Sequence, residues 1–420
     1  MLVLCVAEEN FKERHSFFSS KRLNFKKAQF QKGSISKTIN FIYIFFFKKM
    51  MIFNWGIKIF QKNLLGLSSP KNLSFIWNFG SILGIVLVFQ IVRGLVLTLF
   101  YTNDVSQAFF SIEIIERLFL ERNLRRLWHV RGVNWFFILI YSHMIRGLYY
   151  SSYLNDETWN RGVSIYILLI GVAFLGYVLP WGQISIWGAT VITNLFRVIP
   201  LFGELFVKWI WWGFAINNLT LKLFFSLHFL LPFIIMVLVV VHLVALHFFG
   251  SSSKNLKRLG GAEKVKFDPI FTWKDFLTLR ILFRVILLFK GIIWLDPENY
   301  LEANEITSPL HIKPEWYFLY VYAILRSIPQ KSIGVLALVL ALVSLYLLSM
   351  RPKRVRVKNF IFLNKSLIGI FLRSSVLLTW IGGMPVETPF VFWGQVITLL
   401  YFFSLFGLYL CLELNVKLFF

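Results

Sequence analysis

Phe224–Phe249 reads FFSLHFLLPFIIMVLVVVHLVALHFF, an apolar run interrupted by His228 and His242, with His247 near its end. At a rise of about 1.5 Å per residue it is long enough to cross a bilayer, and it carries no Asp, Glu, Lys or Arg. Imidazoles placed in hydrocarbon are costly unless they have a partner or a function. His228 and His242 are 14 residues apart. That is four turns of a helix wound at about 3.5 residues per turn, so both share one face, separated by about 21 Å along the axis.

The number recurs in a second apolar stretch, where His129 and His143 are also 14 apart. The rest of the chain explains why such stretches are common. Of 420 residues 57% are hydrophobic and only 15% charged, with 47 Phe. Soluble domains carry about 25% charged residues, so a water-soluble globular enzyme is excluded and an integral membrane protein is predicted. Eight segments are long enough to span: about 77–100, 133–150, 163–180, 224–249, 276–295, 332–349, 366–381 and 390–412. The fold class is therefore an all-α membrane protein of eight transmembrane helices. Ile186–Pro200 and Trp316–Ile328 read as helices lying at the membrane surface.

The net charge of +24 comes from 44 Lys and Arg against 20 Asp and Glu. These basic residues fall between the apolar runs and in the N-terminal tail, which is a membrane-topology pattern and not a nucleic-acid interface. Ten lie in the loops on one side and sixteen on the other, which places both termini on the inner side. Cys5 and Cys411 form no CxxCH haem-attachment motif, no zinc pattern and no disulfide framework. Residues 1–50 are rich in Lys, Ser, Asn and Phe. They read as an extension ahead of a start near Met50 or Met51, absent from the mature protein on that reading; Glu8, Glu9 and Glu13 argue against a targeting peptide. Beyond it the chain divides into 51–260, a four-helix domain, and 261–420, a second four-helix domain.

The second and fourth spans run in the same direction, so His129 is level with His228 and His143 with His242. Two parallel helices with imidazoles at two matched depths can grip two haems by axial ligation from both sides. A single intramembrane histidine is more often a packing residue or proton relay, but four at matched depths demand a shared partner. The first and third spans repeat the spacing: Gly80 and Gly94 are 14 apart, as are Gly162 and Gly176. Glycine lets a flat macrocycle approach the backbone closely, though helix packing alone also uses it. Arg126 and Arg146, each three residues from a histidine, are candidates to pair with haem propionates.

Several blocks resemble the cytochrome b family: WNFGSILG from Trp77, HMIRGLYYSSY from His143, GYVLPWGQISIWGATVITN from Gly176 and SLHFLLPFIIM from Ser226. DPENY from Asp296, PEWYFLYVYAILRSIP from Pro314 and TWIGGMPVE from Thr379 continue the series. The resemblance is to the mitochondrial form, the dihaem subunit of the quinol:cytochrome c reductase (complex III), and it spans about residues 54–412. Photosynthetic counterparts are split after the fourth span, whereas all eight helices here are in one chain.

The resemblance implies two non-covalent b-type haems in the first four helices: an outer, low-potential one on His129 and His228, and an inner, high-potential one on His143 and His242. It implies oxidation of ubiquinol at an outer site and reduction of ubiquinone at an inner site, coupled to proton translocation. At the outer site it points to Glu315 as proton acceptor, with Tyr322, Phe174, Tyr177 and Gly188 lining the pocket. At the inner site it points to His247, Ser251 and Asp275, with Trp77 and Asn78 at the same depth. It further implies a Rieske iron–sulfur protein, cytochrome c1 and other complex III subunits as partners, a dimer of the complex, surrounding lipid, and the mitochondrial inner membrane with both termini in the matrix. The Phe- and Lys-heavy composition agrees with a mitochondrial origin.

The chain also departs from the family pattern. HVRGV follows the second-span ligand where small residues are usual, which adds Arg131; Arg93 stands beside Gly94, Arg122 and Asn123 replace a Gly-Trp pair, and Leu223 replaces a basic residue. Two other readings share part of this pattern: a transmembrane dihaem carrier without quinol chemistry, and a non-redox membrane subunit in which the histidine spacing is accidental.

Overall fold

The computed structural model describes residues 67–118, 124–252, 263–288, 296–350 and 361–417, with side chains to 117 in the first of these ranges, from 128 in the second, to 286 in the third and over 363–410 in the last. The extension 1–50 lies outside the described residues. Everything below concerns the described residues of the compact unit Asn63–Phe420.

Twelve α-helices form among the described residues. They are α1 (Phe79–Thr98), α2 (Ala108–Leu118), α3 (Leu124–Tyr149), α4 (Asp156–Val178), α5 (Gln183–Asn194), α6 (Gly203–Trp211), α7 (Asn218–Phe249), α8 (Ile270–Leu288), α9 (Leu319–Ser327), α10 (Lys331–Leu347), α11 (Ile361–Gly382) and α12 (Phe390–Lys417). Each of the eight apolar segments, as far as it is described, falls on one of these: α1, α3, α4, α7, α8, α10, α11 and α12; residues 289–295 of the fifth lie outside the described residues. Among the described residues five helices meet the length and composition needed to cross a membrane. α3 falls short because Arg125, Arg126, Arg131 and Arg146 dilute its hydropathy, α8 because of Lys274, Asp275, Arg280 and Arg284, and α10 by its 17-residue length. The expected surface stretches fold as α5 and as a 3-10 turn, Trp316–Phe318, leading into α9.

The helix ends follow local chemistry. Asn217 caps α7: its carboxamide oxygen accepts from the Leu219 and Thr220 backbone N–H groups, and the Thr220 hydroxyl accepts in return from Asn217 N at 3.2 Å. Asp156 and Glu157 sit in the first turn of α4, where the helix dipole favours negative charge. α4 buries Trp159, Val163, Tyr166, Leu169, Val172, Leu175 and Val178, a stripe spaced by three and four residues. α7 does the opposite: Val237, Val240 and Val244 are each about 60% exposed. Aliphatic side chains turned outward along a helix of this length are facing lipid.

A short antiparallel ribbon pairs β1 (Ser68–Pro70) with β2 (Lys264–Lys266). It ties the approach to α1 to the approach to α8, and Asn78 extends the tie by donating to the Lys274 carbonyl at 3.0 Å and the Thr278 hydroxyl at 2.8 Å.

Candidate functional site

The four glycines and four histidines meet one to one. A Cβ added at Gly94 would stand 3.4 Å from His129 Cε1, at Gly80 3.2 Å from His143 Cε1, and at Gly162 3.2 Å from His242 Cε1; at Gly176 it would run into the His228 ring. Rising numbers on α1 therefore match falling numbers on α3, and the same holds for α4 and α7. Each glycine faces the edge of an imidazole; a Cβ would make ordinary contact at Gly94, press lightly at Gly80 and Gly162, and displace the ring only at Gly176.

His129 and His228 face one another across α3 and α7, ring centres 6.3 Å apart and planes at 88°. His143 and His242 lie 14 residues further along the same two helices, about four turns from the first pair. The pairs fall at the two matched depths that the 14-residue spacing predicts. An imidazole nitrogen bonds a metal at about 2.0–2.1 Å, so an iron midway between two facing rings sets their centres about 6.4 Å apart. The outer pair fits that span. Among the described residues no three His, Cys, Asp or Glu cluster to hold a metal by themselves. The donor set is two imidazoles per site, which suits an iron whose other bonds come from a macrocycle.

Second partners aim the rings. His228 Nδ1 lies 2.9 Å from the Val172 carbonyl, which turns Nε2 toward His129. His129 and His242 direct the same edge toward the Gln90 and Thr158 backbones without closing a bond of ordinary geometry. Each of these three contacts comes from the residue one turn before the facing glycine. His143 differs: Arg146 Nη2 lies 3.0 Å from its Nδ1, and Arg146 also sits 5.7 Å from the Trp77 ring centre. Arg146, expected at a haem propionate, thus donates to the histidine, the nearest acceptor for a guanidinium this deep. Arg126 is helical in α3, and its side chain lies outside the described residues.

An apolar cleft opens around the outer pair, lined by Gly94, His129, Gly176 and His228 and reaching Tyr177 and Glu315. A second cleft shares Tyr177 and Glu315 and adds Asp296, Lys313 and Trp316. Burial pushes the Glu315 carboxyl up to about 7; the Tyr177 hydroxyl opposes the shift and the nearby Asp296 charge adds to it. A carboxyl poised there exchanges protons readily at neutral pH. Of the other expected outer residues, Phe174 packs edge-on against Phe224 and Tyr322 lies under Arg326. Gly188 has open space where a side chain would stand. None of these three lines the clefts that Glu315 shares with Tyr177.

On the opposite side the Trp77 and Tyr150 rings lie 4.6 Å apart, tilted by 47°, Asn78 holds α8, and Asp275 faces Ser81. Ser251 adjoins Ser252, whose hydroxyl is 3.0 Å from that of Ser152. His247 is half-buried on α7, and no hydrogen bond joins it to Asp275. The inner candidates are thus split between an α1–α8 group and the end of α7.

Several residues that shape the site were not picked out in the sequence. Gln90 donates to the His129 carbonyl at 2.8 Å. Asn299, in the DPENY block, accepts from Ser185 N and Oγ at 3.0 and 2.9 Å and binds the loop 296–307 to α5. Gly182 allows this approach, because a Cβ there would stand 2.5 Å from the Asn299 carbonyl.

A family model described as cytochrome b/b6/petB matches residues 64–250, and one described as cytochrome b(C-terminal)/b6/petD matches residues 302–402. Among solved structures, a chain of a "Hyperthermophilic respiratory Complex III" is similar at 30% sequence identity with a TM-score of 0.77, covering 85% of this chain and 96% of that one.

Proposed function

Because this chain belongs to the cytochrome b/b6 family, we propose that it is the membrane electron-transfer subunit of a respiratory quinol:cytochrome c reductase. The observation that carries the reading is the stack Gly94–His129–His228–Gly176 opening into the same cleft as Glu315. His129 and His228 would hold an outer, low-potential haem, and His143 and His242 an inner, high-potential one. When bound, such haems supply a one-electron path between the two membrane faces.

The chain's own residues do the proton work. A quinol entering the outer cleft meets Glu315, whose carboxylate oxygen accepts a hydroxyl proton and, being near neutrality, can pass it on. Tyr177 holds that carboxyl from the other side of the cleft. At the inner face His247 and Asp275, with Ser251, Trp77 and Asn78 beside them, receive quinone and return protons to it. With Arg146 donating to His143 Nδ1 the ring proton sits on Nε2; ligation through Nε2 would need the guanidinium to turn away and the proton to move to Nδ1. The halves 51–260 and 261–420 would carry the haems and the Glu315 segment respectively.

The substrates are then ubiquinol and ubiquinone. The partners are a Rieske iron–sulfur protein, cytochrome c1 and further complex III subunits in a dimer, and the setting is the mitochondrial inner membrane with both termini in the matrix. A dihaem carrier without quinol chemistry would need the histidines but not Glu315 in a cleft beside them. Quinol oxidation by the assembled complex separates the two: Glu315→Gln should slow it about tenfold or more while leaving both haem spectra intact. An unchanged rate would remove Glu315 from the proton path.

A further inference from the structure

Glu315 begins a tight turn whose next two residues are both fastened to α3. Phe318 N donates to the Glu315 carbonyl at 2.8 Å, closing the turn. Trp316 Nε1 donates to Asn134 Oδ1 at 2.6 Å, and the Tyr141 hydroxyl donates to the Tyr317 carbonyl at 2.6 Å. The Tyr317 ring lies flat on Phe137, centres 4.1 Å apart at 1°. Asn134, Phe137 and Tyr141 are spaced three and four apart, one face of the helix that also carries His129 and His143.

Tyr141 does not act alone. Tyr166 on α4 donates to the Tyr141 oxygen at 3.4 Å, and the Tyr166 and Tyr320 hydroxyls are 2.8 Å apart. The Tyr317 carbonyl can only accept, so the Tyr141 proton is committed to it, the Tyr166 proton to Tyr141, and the Tyr320 proton to Tyr166. The result is a chain with one direction, running from α9 through α4 and α3 to the turn that presents Glu315. Hydrogen bonds aligned in this way strengthen one another in a low-dielectric interior.

We propose that Tyr141, Tyr166 and Tyr320 are positioning residues for Glu315, their hydroxyl chain setting where its carboxyl stands in the outer cleft. The inference rests on the proposed role of Glu315, and its test is built so that the two can fail separately. Replacing each tyrosine by Phe in the assembled complex removes one hydroxyl and almost no volume. The readouts are the pH profile of quinol oxidation, KM and kcat taken separately, and the infrared carboxyl band identified by its absence in Glu315→Gln.

Tyr141→Phe should lower kcat about three- to tenfold with KM little changed, move the pH midpoint, and shift the Glu315 band. Tyr166→Phe should do the same more weakly. Tyr401→Phe is the control, a buried tyrosine bonded instead to the Ala341 carbonyl, and should move none of them. Haem spectra equal to wild type exclude misfolding as the cause. A Glu315 band unmoved in Tyr141→Phe overturns the proposal, whatever the rate does. If the band moves but Glu315→Gln leaves quinol oxidation unchanged, the positioning stands and the proton-acceptor role of Glu315 falls.

Discussion

At the scale of single residues, the site works by contact between a backbone without a side chain and the flat edge of an imidazole. Gly176 is the tightest case, since any Cβ there meets the His228 ring. Gly171, one turn and a half earlier on the same helix, has nothing within 4 Å of that position. Gly176→Ala should therefore lose about half of the b-type absorbance by displacing one ligand, while Gly171→Ala keeps all of it; the reduced-minus-oxidised spectrum of each purified variant measures this. Glu315 makes a second prediction. Its carboxyl sits near 7, protonated below and ionised above. Quinol oxidation should rise with pH through about 7 as the base form appears, and a Glu315→Gln complex should lose that limb. The histidines and glycines were legible from spacing, because a helix converts a repeat of 14 into a shared face. The Arg146–His143 bond was not, since sequence places the two one turn apart but does not say which acceptor a deep guanidinium finds.

At the scale of elements, α5 and the loop 296–307 are joined around one carboxamide. Asn299 is 2% exposed and accepts twice from Ser185, while Gln183 exchanges bonds with Asn304 N and the Thr307 carbonyl. Asn299→Leu would strand the Ser185 N–H and hydroxyl, a cost of about 1–3 kcal/mol. It should lower the thermal midpoint by several degrees, read as loss of the haem spectrum on heating. DPENY was visible as a motif, but its partner could not be read because Ser185 is more than a hundred residues away. The tyrosine chain was hidden for the same reason: Tyr141, Tyr166 and Tyr320 come from three elements, and in a chain with 15 tyrosines no local pattern marks them.

At the scale of the whole molecule, eight apolar segments became eight helices because hydrocarbon leaves the backbone no alternative. Their order around the centre follows from the contacts already given: α1 against α3, α4 against α7, and the two pairs facing across the histidines. Depth matching of the histidines was predictable once the second and fourth spans were parallel. The neighbours of Phe174 and Tyr322 were not, because side-chain direction at one helical position depends on residues that sequence does not order. The most direct measurement is an optical redox titration of the purified complex, repeated with His129→Ala and with His242→Ala. Two one-electron b-type components of equal size are expected, each variant losing a different one and keeping the other near its original potential. A single component in the unmodified complex, or loss of the same component from both variants, would contradict the pairing of His129 with His228 and His143 with His242.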